Sequence, residues 1–282
     1  MDWFLEPFTA NPFMQRALLA SLLTVVTTSL VGTWVVLRGM TFIGDAMAHG
    51  VIPGITLAFL LGVDLTLGAA VSALVMIGGI NLVDRRSRLP QDTAIGLLFV
   101  GMLALGVTII SLRGAYAGDL TSILFGDAIG VTRGDVVATA LAAVVTIALT
   151  VVLYRAFLVL AFSRDKAEVM GFRPGLTHAL MLVLVGMSIV VSFRTVGTLL
   201  VFAFLVAPPA AASLVARRVP TMMATAVGLG AVAVVVGLLA SYHGGTPASA
   251  SIAVAAVLEF FVVLAVREIA ELASNGRVRA AG

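Results

Sequence analysis

The sequence predicts an all-α fold, a polytopic transmembrane helical bundle of about eight or nine spans with a short cytoplasmic helix between two of them. Three observations predict it. Hydrophobic residues make up 61% of the 282 and charged residues 11%, against about 45–50% and roughly 25% in an ordinary globular domain. A chain so poor in charge, with a mean hydropathy of +1.15, cannot cover a water-facing surface. The apolar residues also fall in runs close to the roughly 20 residues that a helix needs to cross about 30 Å of hydrocarbon. The net charge of +3 comes from bases scattered singly between those runs, with no basic stripe, so nucleic acid is not an expected partner. The chain has no cysteine, which excludes disulfides, thiolate metal sites and cysteine nucleophiles and leaves the redox compartment unreadable.

Nine runs approach that length, at about 17–37, 41–62, 66–83, 93–112, 135–154, 176–193, 196–216, 221–242 and 247–266, each bounded by charge, Gly or Pro. The first reads as a permanent span: it is long for a signal peptide, lies behind Asp2 and Glu6, and is followed by Arg38 in place of a small-residue cleavage site. Lys and Arg in short loops mark the cytoplasmic side. Placing Arg85, Arg86 and Arg88 there also places Arg38, Arg155, Arg164, Lys166, Arg173, Arg217, Arg218, Arg267, Arg277 and Arg279 there, and leaves Arg16, Arg113, Arg133 and Arg194 opposite. The expected orientation is amino terminus out, carboxyl terminus in, for a single transmembrane domain over 1–282. Two connections exceed a turn. The outer one, 113–134, carries an apolar stretch, Leu120 to Phe125, expected as a short helix. The inner one, 155–175, contains two turns of charged helix from Arg164 to Met170, stopped by Gly171 with Pro174 three residues on.

A carboxylate within a span costs about 2.5–3.5 kcal/mol on insertion scales, so it faces protein or a water-filled path. Asp45 and His49 in the second run are four apart, on one helix face. Their oxygen and imidazole nitrogen suit Zn²⁺, Mn²⁺ or Fe²⁺ better than Cu(I). Two ligands are too few for a strong site, and a homodimer with its axis near this helix would supply four. The same spacing serves equally for an Asp–His hydrogen bond that merely packs the helix. Gly50 and Gly54 form a GxxxG pair that admits a close neighbour, and Pro53 cannot donate to the His49 carbonyl. By rise per residue Asp45 lies only about 10 Å beyond Arg38. Elsewhere, Glu259 in the ninth run is either paired with a neighbouring helix or a proton or cation relay. His178 reads as an interfacial structural residue. His243, on the outer side, is either solvated or placed to meet an ion. Ala207-Pro208-Pro209 is read as interrupting the seventh run and removing the partners of the Phe204 and Leu205 carbonyls, with a passive kink as the alternative.

The segment from Arg38 to Gly54, RGMTFIGDAMAHGVIPG, resembles the second-helix signature of the ABC-3 permeases, the membrane subunits of bacterial zinc, manganese and iron importers. Val196 to Ala212 is similar to their second long motif, and Ala161 to Gly171 to the cytoplasmic coupling helix that docks on the ATPase, with Ser163-Arg164 in place of a more usual Asp-Pro or Asp-Glu start. The resemblance implies that Asp45 and His49 contact the metal. It implies that the segment from Phe162 to Gly171, with Arg164, Asp165 and Glu168, grips an ATP-binding cassette subunit. It further implies a second permease chain, identical or homologous, an extracytoplasmic metal-binding protein as donor, and a multi-pass place in the bacterial plasma (inner) membrane.

No GxxxxGK[ST] phosphate loop is present, so ATP hydrolysis falls to a partner and the chain is not itself expected to be an enzyme. The divalent cation is then cargo, and no permanently bound cofactor is expected. Two alternatives compete with an ATP-driven importer of Zn²⁺, Mn²⁺ or Fe²⁺: an ABC permease for a metal chelate, with Asp45 as helical glue, and a proton-coupled secondary carrier using Glu259 or Asp45. An intramembrane hydrolase built on Ser241 and His243 is the least supported, because nothing supplies an oxyanion hole.

Overall fold

The computed structural model describes residues 7–8, 11–87, 90–111 and 131–280, excluding the side chains of 85, 91, 194, 198 and 273–280. Every regular element among the described residues is helical: α1 Pro12–Leu37, α2 Phe42–Gly50, α3 Ile52–Leu61, α4 Leu65–Arg86, α5 Gln91–Ser111, α6 Arg133–Val152, α7 Tyr154–Phe162, α8 Arg164–Val169, α9 Pro174–Val215, α10 Val219–Gly244 and α11 Ala248–Ala280. The expected helix at Leu120–Phe125 lies outside the described residues. Eight helical segments are long and apolar enough to cross a membrane, with Leu199–Val215 a shorter ninth.

Local chemistry sets several boundaries. Asp64 begins α4 by accepting hydrogen bonds from the Thr66 and Leu67 amides at 2.8 and 3.1 Å. Thr132 and Asp135 form a reciprocal capping box at the start of α6. The left-handed glycines Gly62 and Gly245 close α3 and α10.

The expected sixth and seventh runs form one element, α9, broken at Gly197, whose φ of 78° and ψ of 159° suit only glycine. The break reverses the chain. His178 and Ser192, before it, meet Arg38 at the end of α1 and Thr24 in its middle, whereas Leu205, after it, is back toward that same end at Gly32. The predicted interruption at Ala207-Pro208-Pro209 is corrected: both prolines sit inside the second arm, which stays helical to Val215. The prolines do deprive the Phe204 and Leu205 carbonyls of donors. The Leu205 oxygen is turned onto the bare Cα of Gly32, where a Cβ would overlap it, a contact of the weak Cα–H···O kind.

Helices α1 and α9 are the centre, with Val25, Trp34, Leu182, Val185, Phe204 and Leu205 buried. Water provides no drive for association inside a membrane, so small residues that let backbones meet carry the packing. Gly54 of α3 and Gly68 of α4 lie backbone to backbone, as do Gly237 of α10 and Ile252 of α11. The flanking helices α5, α6 and α11 leave Val100, Leu141, Val144, Leu258 and Phe261 exposed, a surface suited to acyl chains or another chain.

Candidate metal site and docking helix

Helix α2 begins at Phe42 after the left-handed turn at Gly39. Asp45 therefore falls in its first turn, where unpaired amides and the helix dipole favour a carboxylate. His49 follows one turn on, and its Nε2 stands 3.4 Å from Asp45 Oδ1, both side chains a little over one-quarter exposed. The Phe99 ring of α5 meets the imidazole edge to face, with centroids 5.6 Å apart. His49 Nδ1 is buried and has no hydrogen-bond partner among the described residues. An imidazole so placed has ligand capacity to spare. No group of three or more His, Cys, Asp or Glu suited to a metal occurs among the described residues.

The backbone around the pair is irregular for a stated reason. Pro53 removes the donor that would serve the His49 carbonyl, and the Val51 amide, at the break between α2 and α3, turns to that oxygen instead. The next carbonyl, Gly50, accepts a hydrogen bond from Ser72 Oγ of α4 at 2.8 Å. Gly54 brings α4 close enough for this contact, as the GxxxG spacing predicts. Gly106 of α5 packs on Ile52 and Pro53 from another side. Phe99 and Ser72 were invisible to sequence reasoning: one is an ordinary apolar residue in a span, the other a common small one.

The charged inner helix forms where the spacing predicts. Ser163 caps α8 by accepting from the Lys166 amide at 3.2 Å, a role that the expected aspartate would also fill, since both side chains cap. Gly171 ends the segment at φ 82°, and Pro174 opens α9. Ala167 is the buried contact of α8, while Phe162, Arg164, Asp165, Glu168, Val169 and Met170 are exposed. Glu168 and Gly171 border a shallow depression of about 540 Å³ continuing to Leu176.

The other singled-out residues separate from this site. Glu259 sits in mid-α11 with Oε2 buried and unpaired among the described residues. His178 is buried in the first turns of α9 and accepts a hydrogen bond from Arg38. His243 is exposed and bonds through Nδ1 to the Leu239 carbonyl at 3.0 Å, and Ser241 donates to the Thr246 carbonyl at 2.6 Å. These separate partners give no support to a Ser–His catalytic pair.

Comparison with known proteins follows the same lines. The chain is 34% identical to the manganese transport system membrane protein MntC of Listeria monocytogenes over 259 residues, 92% of each chain. It is 33% identical to a probable iron transport system membrane protein of Haemophilus influenzae, covering 95% of this chain and 98% of the relative. Among solved structures, PsaBC from Streptococcus pneumoniae, determined in complex with Fab, superposes with a TM-score of 0.82 at 32% identity, over 92% of this chain and 94% of that one. The model of the ABC 3 transport family matches residues 10–267, and the chain belongs to that family.

Proposed function

We propose that this chain is the permease subunit of an ATP-driven importer of a divalent metal cation, with Asp45 and His49 as ion contacts in the translocation path. One observation carries the reading: an acid and an imidazole share one face of α2, remain partly open, and leave the buried His49 Nδ1 unpartnered among the described residues. A pair that served only to pack the helix would have little reason to stay exposed. Two ligands hold an ion weakly, as conduction requires, and a second permease chain would complete the set. The manganese and iron in the relatives' names support Mn²⁺ or Fe²⁺ within the group that oxygen and imidazole suit.

The energy comes from a partner, since the sequence has no phosphate loop. In this reading α8 and its flanks, Phe162, Arg164, Asp165, Glu168 and Gly171, dock an ATP-binding cassette subunit on the cytoplasmic face of a bacterial inner membrane. The mixture of exposed apolar and charged side chains on so short a helix supports it. An extracytoplasmic binding protein delivers the ion from the other side. Family membership favours this over proton-coupled carriage. The test is uptake of Mn²⁺ and Fe²⁺ by the complex reconstituted in vesicles. Asp45→Ala and His49→Ala each abolish it while the complex still assembles, and wild-type uptake in both variants removes the site.

A further inference from the structure

Four polar side chains from four elements meet at the end of the bundle where α1, α4, α8 and α9 converge. Arg38, the residue that ends α1, donates from Nη1 to His178 Nδ1 of α9 at 2.7 Å. An arginine has no acceptor, so His178 Nδ1 must offer its lone pair, and the imidazole is neutral with its proton on Nε2. Arg164, the first residue of α8, lies with Nη2 3.6 Å from Asp84 Oδ2 near the end of α4. The two pairs feel one another: burial and the charge of Arg164 lower the Arg38 pKa, and Asp84 opposes them.

Each pair is tied to the Asp45–His49 region by a separate route. Arg38 directly precedes the left-handed turn at Gly39 that launches α2, and Asp45 follows seven residues later. Asp84 belongs to α4, which reaches the far side of the same region through Ser72 on the Gly50 carbonyl and Gly68 on Gly54. At the other end, Arg164 opens α8, and His178 lies one turn into α9, directly after the Gly171–Pro174 link that follows α8. We propose that Arg38–His178 and Asp84–Arg164 are two struts that transmit displacement of α8 to both flanks of the α2–α3 break, making Arg38, Asp84 and His178 positioning residues for ion passage. The inference rests on the transport reading above and adds to it the parts that carry the motion.

The half-buried Arg38 against His178, and Asp84, whose side chain is 23% exposed, each lose a partner in a partly dry environment when the elements separate, whereas Arg164 is largely exposed and returns to water. The experiment is a double-mutant cycle in the complex with its ATPase subunit, reading Mn²⁺ uptake per ATP hydrolysed beside co-purification of the ATPase. Asp84→Asn retains co-purification and lowers uptake per ATP about threefold to fivefold, the scale of a partly exposed ion pair, while Asp84→Asn with Arg164→Gln is no worse than the poorer single variant, because one strut is lost only once. Uptake per ATP within about twofold of wild type in Asp84→Asn, or losses that multiply in the double variant, overturns the proposal. Should Asp84→Asn fail to assemble, Arg38→Lys tests the other strut, since an ammonium keeps the charge without the rigid fork. A fivefold or larger drop, on the order of 1 kcal/mol, supports the link and wild-type coupling removes it. Uptake that survives Asp45→Ala yet is lost in Asp84→Asn would sink the ion path and leave the struts standing. The reverse pattern does the opposite.

Discussion

The chain holds two polar clusters within a few turns of each other, and they are built on opposite plans. At Asp45–His49 the polar contacts are sparse: one 3.4 Å approach, one buried nitrogen without a partner among the described residues, and side chains still partly open. Around Arg38, each group has an opposing one, with a lone pair facing a guanidinium and a carboxylate facing another. The first arrangement leaves coordination unspent, as a site for a transient ion needs. The second commits its contacts to neighbouring helices, as a joint needs. Polar residues in a membrane protein therefore sort by what remains unfilled more than by how deeply they lie.

The largest expected effect breaks this contrast directly. Equilibrium Mn²⁺ binding to the purified complex should weaken at least about tenfold in His49→Ala, the scale of loss when a metal site is disturbed, while Arg38→Lys should leave it within about twofold. Equal weakening in both would merge the two clusters into one. Next comes Gly54→Leu, which drives a side chain into the Gly68 carbonyl. It should cost about 1–3 kcal/mol or more as overpacking, seen as a lower unfolding temperature, whereas the same substitution at Gly78, which faces open space, should be nearly silent. Phe99→Ala removes the ring edge from His49. An aromatic contact of about 0.5–1.5 kcal/mol predicts a change of up to about tenfold in ion affinity, with Phe99→Tyr close to wild type. The smallest is Ser163→Ala, which should cost about 1 kcal/mol of α8 stability and weaken ATPase stimulation without altering ion affinity. Ser163→Asp should keep the cap.

Much of this was legible in the sequence because it is local. The i,i+4 relation of Asp45 and His49 is a property of one helix, and Gly171 with Pro174 punctuates α8 within its own segment. The runs were legible because crossing hydrocarbon imposes a length. What stayed hidden joins distant residues: His178 is 140 residues from Arg38, and Ser72 lies 22 from Gly50. Hydrophobic periodicity describes which face of a helix is buried and carries no information about which neighbour it meets. The reading at Pro208-Pro209 failed for a related reason. Proline does remove donors, but the helix persists where a neighbouring backbone takes up the freed oxygen, and the residue that permits it, Gly32, belongs to another helix.

The hydroxyl cap at Ser163 reaches beyond the chain itself. Serine and aspartate begin a helix equally well, but only aspartate brings a negative charge to the face that would enter the ATPase. In the docking proposed above, Ser163→Asp would therefore keep the cap yet add a negative charge to that face, and its effect on ATPase stimulation should grow as ionic strength falls.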